Sequence, residues 1–239
     1  MNPSSPQPIK ALIFDVFGTL VDWRTSIAKE SQRLLEPIGV RIDWFAFADD
    51  WRAQYQPAME EVRVGRIPFC KLDDLHRRNL DIVLSAYDLD HVDDLTRGQL
   101  NWAWHRLDAW PDVRDGLVML RDKFLIAPCS NGNISLMVDL ARHNHWRWDA
   151  ILGAELAGDY KPKPVVYLSA AAALGLNPNE VMMVAAHSSD LEAAAGCGLA
   201  TAFVARPDEF GPGTGETQAL TAVDISVGNL LELAKTLAC

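Results

Sequence analysis

Cysteine is scarce: Cys70, Cys129, Cys197 and Cys239 are scattered over 239 residues, too few and too dispersed to read as a disulfide framework. No Cys-x-x-Cys pair occurs and no histidine stands at metal-ligand spacing, so a zinc site is not indicated either. Positive charge is also short, with 22 Lys and Arg against 32 Asp and Glu and a net charge of −10. Nucleic acid and anionic membrane surfaces both demand a concentrated positive field, so no nucleic-acid or membrane partner is expected. A small anion bound in a local basic pocket is not excluded. No apolar run approaches the roughly 20 residues that span a bilayer. The opening MNPSSPQPIK lacks the basic start and apolar stretch of a signal peptide and reads as a short disordered lead-in, which makes a cytoplasmic location the default expectation. Internal repeats are absent too. What remains is an ordinary globular composition, 49% hydrophobic and 23% charged, long enough for one large domain or a domain with a smaller insert.

Short apolar runs punctuate the chain: Ala11 to Phe14, Phe124 to Ala127, Ala150 to Leu152, Val181 to Ala186 and Thr201 to Val204. Between them lie helical periodicities near 112–122, 134–144, 164–174 and 190–196, with a last one near 228–237. Strands alternating with helices predict an α/β fold, a doubly wound parallel sheet of Rossmann-like type covered on both faces. Residues 23–105 differ, lacking buried-strand runs and carrying helical patterns rich in Trp, Arg, Glu and Asp. They read as a helical cap subdomain inserted into a core made of residues 1–22 and 106–239.

In open parallel sheets the ligand sits beyond the carboxyl ends of the strands, so polar residues following each strand deserve inspection. After the first stands Asp15-Val16-Phe17-Gly18-Thr19, where a carboxylate facing a Gly-containing turn is either an aimed nucleophile or a turn-forming Asp. After the second stands Cys129-Ser130-Asn131-Gly132, a helix N-cap or a ligand-binding loop. After the third, prolines flank Lys163 in Lys161-Pro162-Lys163-Pro164 and constrain the loop holding Lys161. After the fourth stands His187-Ser188-Ser189-Asp190, where Asp190 either caps the next helix or pairs with Lys161.

Asp, Ser-Asn, Lys and Asp in this order, each at the end of a successive strand, resemble the four motifs of the haloacid dehalogenase superfamily from Phe14 to about Pro212. Most members are magnesium-dependent phosphohydrolases with a second Asp two residues after the nucleophile, where this chain has Phe17. An aromatic ring cannot transfer a proton. Phosphatases also commonly place an acidic magnesium ligand four residues before the Asp190 position, where Ala186 offers no oxygen. Both differences point to the branch resembling L-2-haloacid dehalogenases (type II), which needs no metal or other cofactor. The partner this implies is a small anionic halogenated carboxylic acid. The other readings are a magnesium-dependent phosphatase acting on a phosphorylated metabolite and an inactive binding protein with the same fold.

The resemblance implies that Asp15 attacks C2 and forms an aspartyl ester that water cleaves. Lys161 would keep Asp15 ionised, Asp190 would orient Lys161, and Thr19, Ser130 and Asn131 would hydrogen-bond nucleophile or substrate. Phe17 becomes an apolar wall, Arg52 is the best match for the family's halide-binding arginine, and Tyr167 matches a tyrosine near the site. Better-known members carry Ser-x-Asn where this chain has Ala185-Ala186-His187, which makes His187 the natural replacement. The Trp23-Arg24 pair at the start of the cap also resembles a His-containing subgroup, and a compact pocket built with His and Trp would favour a small halide, so fluoroacetate is a secondary candidate substrate. Family members are often dimers, which leaves a homodimer open, although no apolar stripe marks an interface. The other tryptophans read as core or packing residues, with Trp102 and Trp104 also candidates for lining the hinge, and Cys129 reads as a small buried residue.

Overall fold

A computed structural model describes residues 8–239, so most of the expected disordered lead-in, residues 1–7, lies outside the described residues. Six strands, β1 (Ala11–Phe14), β2 (Leu125–Ser130), β3 (Leu152–Gly153), β4 (Val181–Ala185), β5 (Ala200–Val204) and β6 (Ile225–Val227), form one parallel sheet in the order β3-β2-β1-β4-β5-β6. β1 sits centrally, with Phe14 opposite Pro128 on one side and Val184 on the other, and all four of its residues are fully buried. That explains its continuous apolar run: both faces are covered, so neither can be polar. Alternate residues serve opposite layers. Leu12, Phe14, Met182 and Val184 join one core cluster, whereas Ala11, Ile13, Val181 and Met183 join the other, the period of two that a pleated strand imposes.

Between β1 and β2 the described chain is helical: α1 (Trp23–Leu35), α2 (Trp44–Ala53), α3 (Tyr55–Arg63), α4 (Leu72–Ala86), α5 (Asp94–Asn101), a 3-10 turn at Trp102–Arg106, and α6 (Val113–Arg121). Aspartates open three of these helices. Asp22, Asp43 and Asp93 accept backbone N–H groups in the first turns of α1, α2 and α5, satisfying donors that have no partner within the helix. Apolar positions at helical spacing, such as Leu72, Leu75, Leu80, Val83 and Leu84 of α4, face inward. The 3-10 turn straddles the boundary expected after residue 105.

The remaining helices are α7 (Ile134–His143), α8 (Ala154–Ala157), α9 (Pro164–Ala173), α10 (Ser188–Gly196) and α11 (Leu230–Thr236). Two departures from the sequence reading have clear causes. Cys129 and Ser130 belong to β2 instead of following it, because they pair with Leu152 and Gly153 of β3. β6 escaped notice because it is a short edge strand, only half buried, held by pairing with β5. None of the helices among the described residues is long and apolar enough to cross a membrane.

Candidate active site

Asp15 follows β1 directly, its backbone N–H tied to the Val184 carbonyl, so its carboxylate emerges at the carboxyl edge of the sheet. Thr19 Oγ1 donates to Asp15 Oδ2 at 2.7 Å, and Lys161 Nζ lies 2.8 Å from Oδ1. Lys161 is positioned by both of its peptide groups: Asn131 Oδ1 accepts its N–H at 2.8 Å, and Arg63 Nη1 of α3 donates to its carbonyl at 2.8 Å. The same ammonium lies 2.6 Å from Asp190 Oδ2, and Tyr167 of α9 donates its hydroxyl to Asp190 Oδ1. On the other flank His187 Nδ1 lies 3.0 Å from Asp15 Oδ2, and His187 Nε2 lies 2.9 Å from Glu209 Oε2.

The result is a chain of alternating charge, Asp190, Lys161, Asp15, His187, Glu209, in which His187 is partly exposed and the others are buried. A neutral donor closes each end, Tyr167 on Asp190 and Trp23 Nε1 on Glu209. Burial by itself would raise the Asp15 pKa, but Lys161 and His187 outweigh it and hold the carboxyl far below its ordinary range. Burial likewise disfavours charge on Lys161 and His187. The carboxylates of Asp15 and Asp190 overcome it for Lys161, holding its pKa above the usual value, and Asp15 and Glu209 push His187 up to about 10.

Arg52, Tyr55 and Trp23 of the helical insert face this cluster across a cavity of 1210 Å³ that Asp15, Phe17, Asn131, Lys161, His187 and Asp190 also line. The Arg52 guanidinium lies 3.8 Å from the Tyr55 ring centroid, 5.4 Å from that of Trp23 and 5.8 Å from that of Phe17. Phe17 meets Tyr55, His76 and Trp104 edge to face. His76 adds no charge to this wall, because burial pushes its pKa down to about 3. Around Arg52 the cavity wall is therefore aromatic, while the sheet edge opposite presents the carboxylates of Asp15 and Asp190 with Lys161 and His187.

Of the residues singled out from sequence, Asp15, Phe17, Trp23, Arg52, Asn131, Lys161, His187 and Asp190 line the cavity. Thr19, Ser130 and Tyr167 stand behind it, fully buried. Ser130 Oγ accepts the Gly132 N–H at 3.0 Å and so shapes the turn that presents Asn131. Trp102 is half-exposed and stacks on His105, while Trp104 is buried against His76. Cys129 is buried, with its thiol pushed up to about 12 by burial.

Sequence reading missed Glu209, Tyr55 and Arg63. Glu209 had a usable signal, since it lies in the loop following β5 and the inspection of strand ends stopped at the fourth strand. Tyr55 and Arg63 had none, being a helix aromatic and a helix arginine among many. Magnesium does not fit this arrangement. Each oxygen of Asp15 already faces a cationic group, Lys161 or His187, and neither Phe17 nor Ala186 supplies a side-chain oxygen.

Known proteins match this fold closely. A defluorinating L-2-haloacid dehalogenase of known structure is 43% identical, superposes with a TM-score of 0.96, and covers 99% of this chain and 98% of its own. A second L-2-haloacid dehalogenase structure is 44% identical with a TM-score of 0.92, covering 96% and 99%. The (S)-2-haloacid dehalogenase 4A of Burkholderia cepacia is 28% identical over 210 residues, 84% of this chain and 87% of its own. The haloacid dehalogenase-like hydrolase profile matches residues 9–198, most of the chain, and this protein belongs to that family.

Proposed function

We propose that the protein is a metal-independent (S)-2-haloacid dehalogenase that converts short L-2-haloalkanoic acids to 2-hydroxy acids. The observation that carries this reading is the pairing of an ionised Asp15 with the wall of Phe17, Tyr55 and Arg52 opposite it. Residues 23–105 act as a cap over the core formed by 1–22 and 106–239, supplying Arg52 and Tyr55 to the cavity. Asp15 attacks the halogen-bearing C2 from the side opposite the halogen. The new C–O bond forms as the C–X bond breaks, and the electron pair leaves with the halide.

Halide is already a stable anion, so no acid is needed where Phe17 stands; Arg52 receives the halide as its charge develops. Asn131, whose Oδ1 is committed to the Lys161 N–H, turns its amide protons to the substrate carboxylate. Water then attacks the ester carbon. One proton passes to Asp190 and on to the departing alkoxide, and the regenerated Asp15 carboxyl loses the other to solvent. The four cysteines are all free thiols, which supports a cytoplasmic location.

Incubation with L- and D-2-chloropropionate and with p-nitrophenyl phosphate, each with and without EDTA, tests the reading. Chloride from the L-isomer alone, undiminished by EDTA and abolished by Asp15→Asn, is expected. Magnesium-dependent phosphate release would replace the proposal with a phosphatase, and the absence of both products would favour a binding protein. Fluoroacetate belongs among the substrates, supported by the charged His187 beside Asp15 and by the likeness to a defluorinating enzyme. Chloride release without any fluoride release would remove that extension.

A further inference from the structure

Alkylation removes the negative charge of Asp15, so whatever holds the cluster together afterwards must come from elsewhere. His187 lies between two carboxylates, Nδ1 at 3.0 Å from Asp15 Oδ2 and Nε2 at 2.9 Å from Glu209 Oε2. Ionised carboxylates only accept hydrogen bonds, so an imidazole between two of them carries a proton on each nitrogen. Glu209 is 1% exposed and takes its other hydrogen bond from Trp23 Nε1 at 3.2 Å. The fold reserves room for it: an ideal Cβ on Gly18 would fall 2.0 Å from Glu209 Oε1. Thr19 is equally directed. Its Oγ1 accepts the Ala186 N–H at 2.9 Å, which leaves its own proton to point at Asp15 Oδ2, 2.7 Å away. Two donors therefore converge on Oδ2, while among the described residues Oδ1 faces Lys161 alone.

We propose that Glu209 is a positioning residue that keeps His187 doubly protonated once Asp15 is esterified through Oδ1, so that His187 and Thr19 stabilise the oxyanion forming on Oδ2 during hydrolysis. This rests on the dehalogenase reading. The groups acting on His187 are Asp15 after β1, Glu209 after β5, Lys161 and Asp190 across Asp15, Arg52 from α2 on the same cavity, and Glu216, which holds the neighbouring Ser188 N–H. Lys161 and Arg52 oppose the imidazolium charge. In the ester, Glu209 is the carboxylate that touches the ring. Without it burial strips the Nδ1 or Nε2 proton, and the oxyanion loses one of its donors.

Rapid-quench experiments on Glu209→Gln with L-2-chloropropionate separate the two steps, reading chloride and the intact mass of the alkylated protein. The chloride burst should change far less than turnover, kcat should fall about 10²-fold as for loss of one oxyanion donor, and the ester mass should accumulate. The pH profile of ester hydrolysis should also decline from near neutrality instead of from well above it. Equal slowing of burst and turnover, or an unchanged profile, would overturn the proposal. A measurement on the parent protein guards against a misfolded variant: ¹⁵N spectra of His187 at pH 8 should show both nitrogens protonated, and a neutral ring there would overturn it as well. A parent that releases no halide defeats the dehalogenase reading itself, a distinct outcome.

Discussion

Replacing Lys161 with Met removes the cation between Asp15 and Asp190 while keeping most of the side-chain length. In the native cluster Nζ lies 2.8 Å from one carboxylate and 2.6 Å from the other, with all three side chains buried. Removing one partner of a buried ion pair costs about 3–5 kcal/mol, because the remaining charge is left poorly solvated. At about 2–4 °C of Tm per kcal/mol for a chain of this size, a fall of about 6–20 °C is expected. Acid should recover part of that loss. Without Lys161 the two carboxylates share a buried site and together take up a proton that an unfolded Asp releases near 3.8.

A carboxyl raised in the folded state loses stability as pH climbs above its unfolded value, so the variant should lose about 1.4 kcal/mol per pH unit in that range. In the parent, Asp15 is depressed despite its burial. Its contribution is complete above 3.8 and disappears only as pH falls through the depressed value. Between about pH 5 and pH 6.5 the gap between the proteins should therefore widen by about 2 kcal/mol, or about 4–8 °C in Tm. Thermal melts of both proteins at three pH values and constant ionic strength measure it. Equal Tm values, or a gap that stays constant over the window, would refute the reasoning that Lys161 is what makes two buried carboxylates tolerable.

Arg52→Leu should lower kcat/KM for chloropropionate by about 10- to 150-fold, the range for losing a hydrogen bond to a charged group, with Arg52→Lys intermediate; a chloride electrode decides, and parent-like values for both would exclude Arg52 from the site. Gly18→Ala should destabilise by about 1–3 kcal/mol, since Gly18 has φ +84° and the added carbon would strike Glu209, an effect read from the urea midpoint. His105, buried between Asp73 of α4 and Asp139 of α7, is raised by those carboxylates against the opposing effect of burial. Its contribution should be complete below the ordinary value of 6.5 and fade as pH rises through the raised one, so His105→Gln should narrow its Tm deficit as pH rises; a deficit independent of pH would contradict this.

The strand-end residues were legible because a parallel sheet has one carboxyl edge. Asp15 and Asn131 emerge there directly after β1 and β2, while Lys161, beyond the short helix α8, and Asp190, in the first turn of α10, reach the same edge from the segments that follow β3 and β4, so all four surround one cavity although they span much of the chain. Element boundaries were less legible where pairing, not composition, decides them, as with Cys129 and Ser130 at the end of β2 and with the edge strand β6. Ser130 shows the same limit on a smaller scale. Its hydroxyl sits fully buried behind the cavity, where its oxygen accepts the Gly132 N–H of the turn that presents Asn131.

The sequence by itself determined the architecture, the order of the chemistry-bearing residues and the loss of phosphatase groups at Phe17 and Ala186, because these depend on hydrophobic period and residue type. Only the tertiary structure decided which charges neutralise which. That His187 is an imidazolium depends on Glu209 meeting its far nitrogen, and that Arg63 holds the Lys161 loop depends on how α3 packs over the core. Such couplings fall off steeply with distance and are set by burial, and neither distance nor burial is written in spacing along the chain. The net charge of −10 excluded broad basic surfaces, but the alternating chain from Asp190 to Glu209 is what places two cationic side chains beside one cavity of an acidic protein.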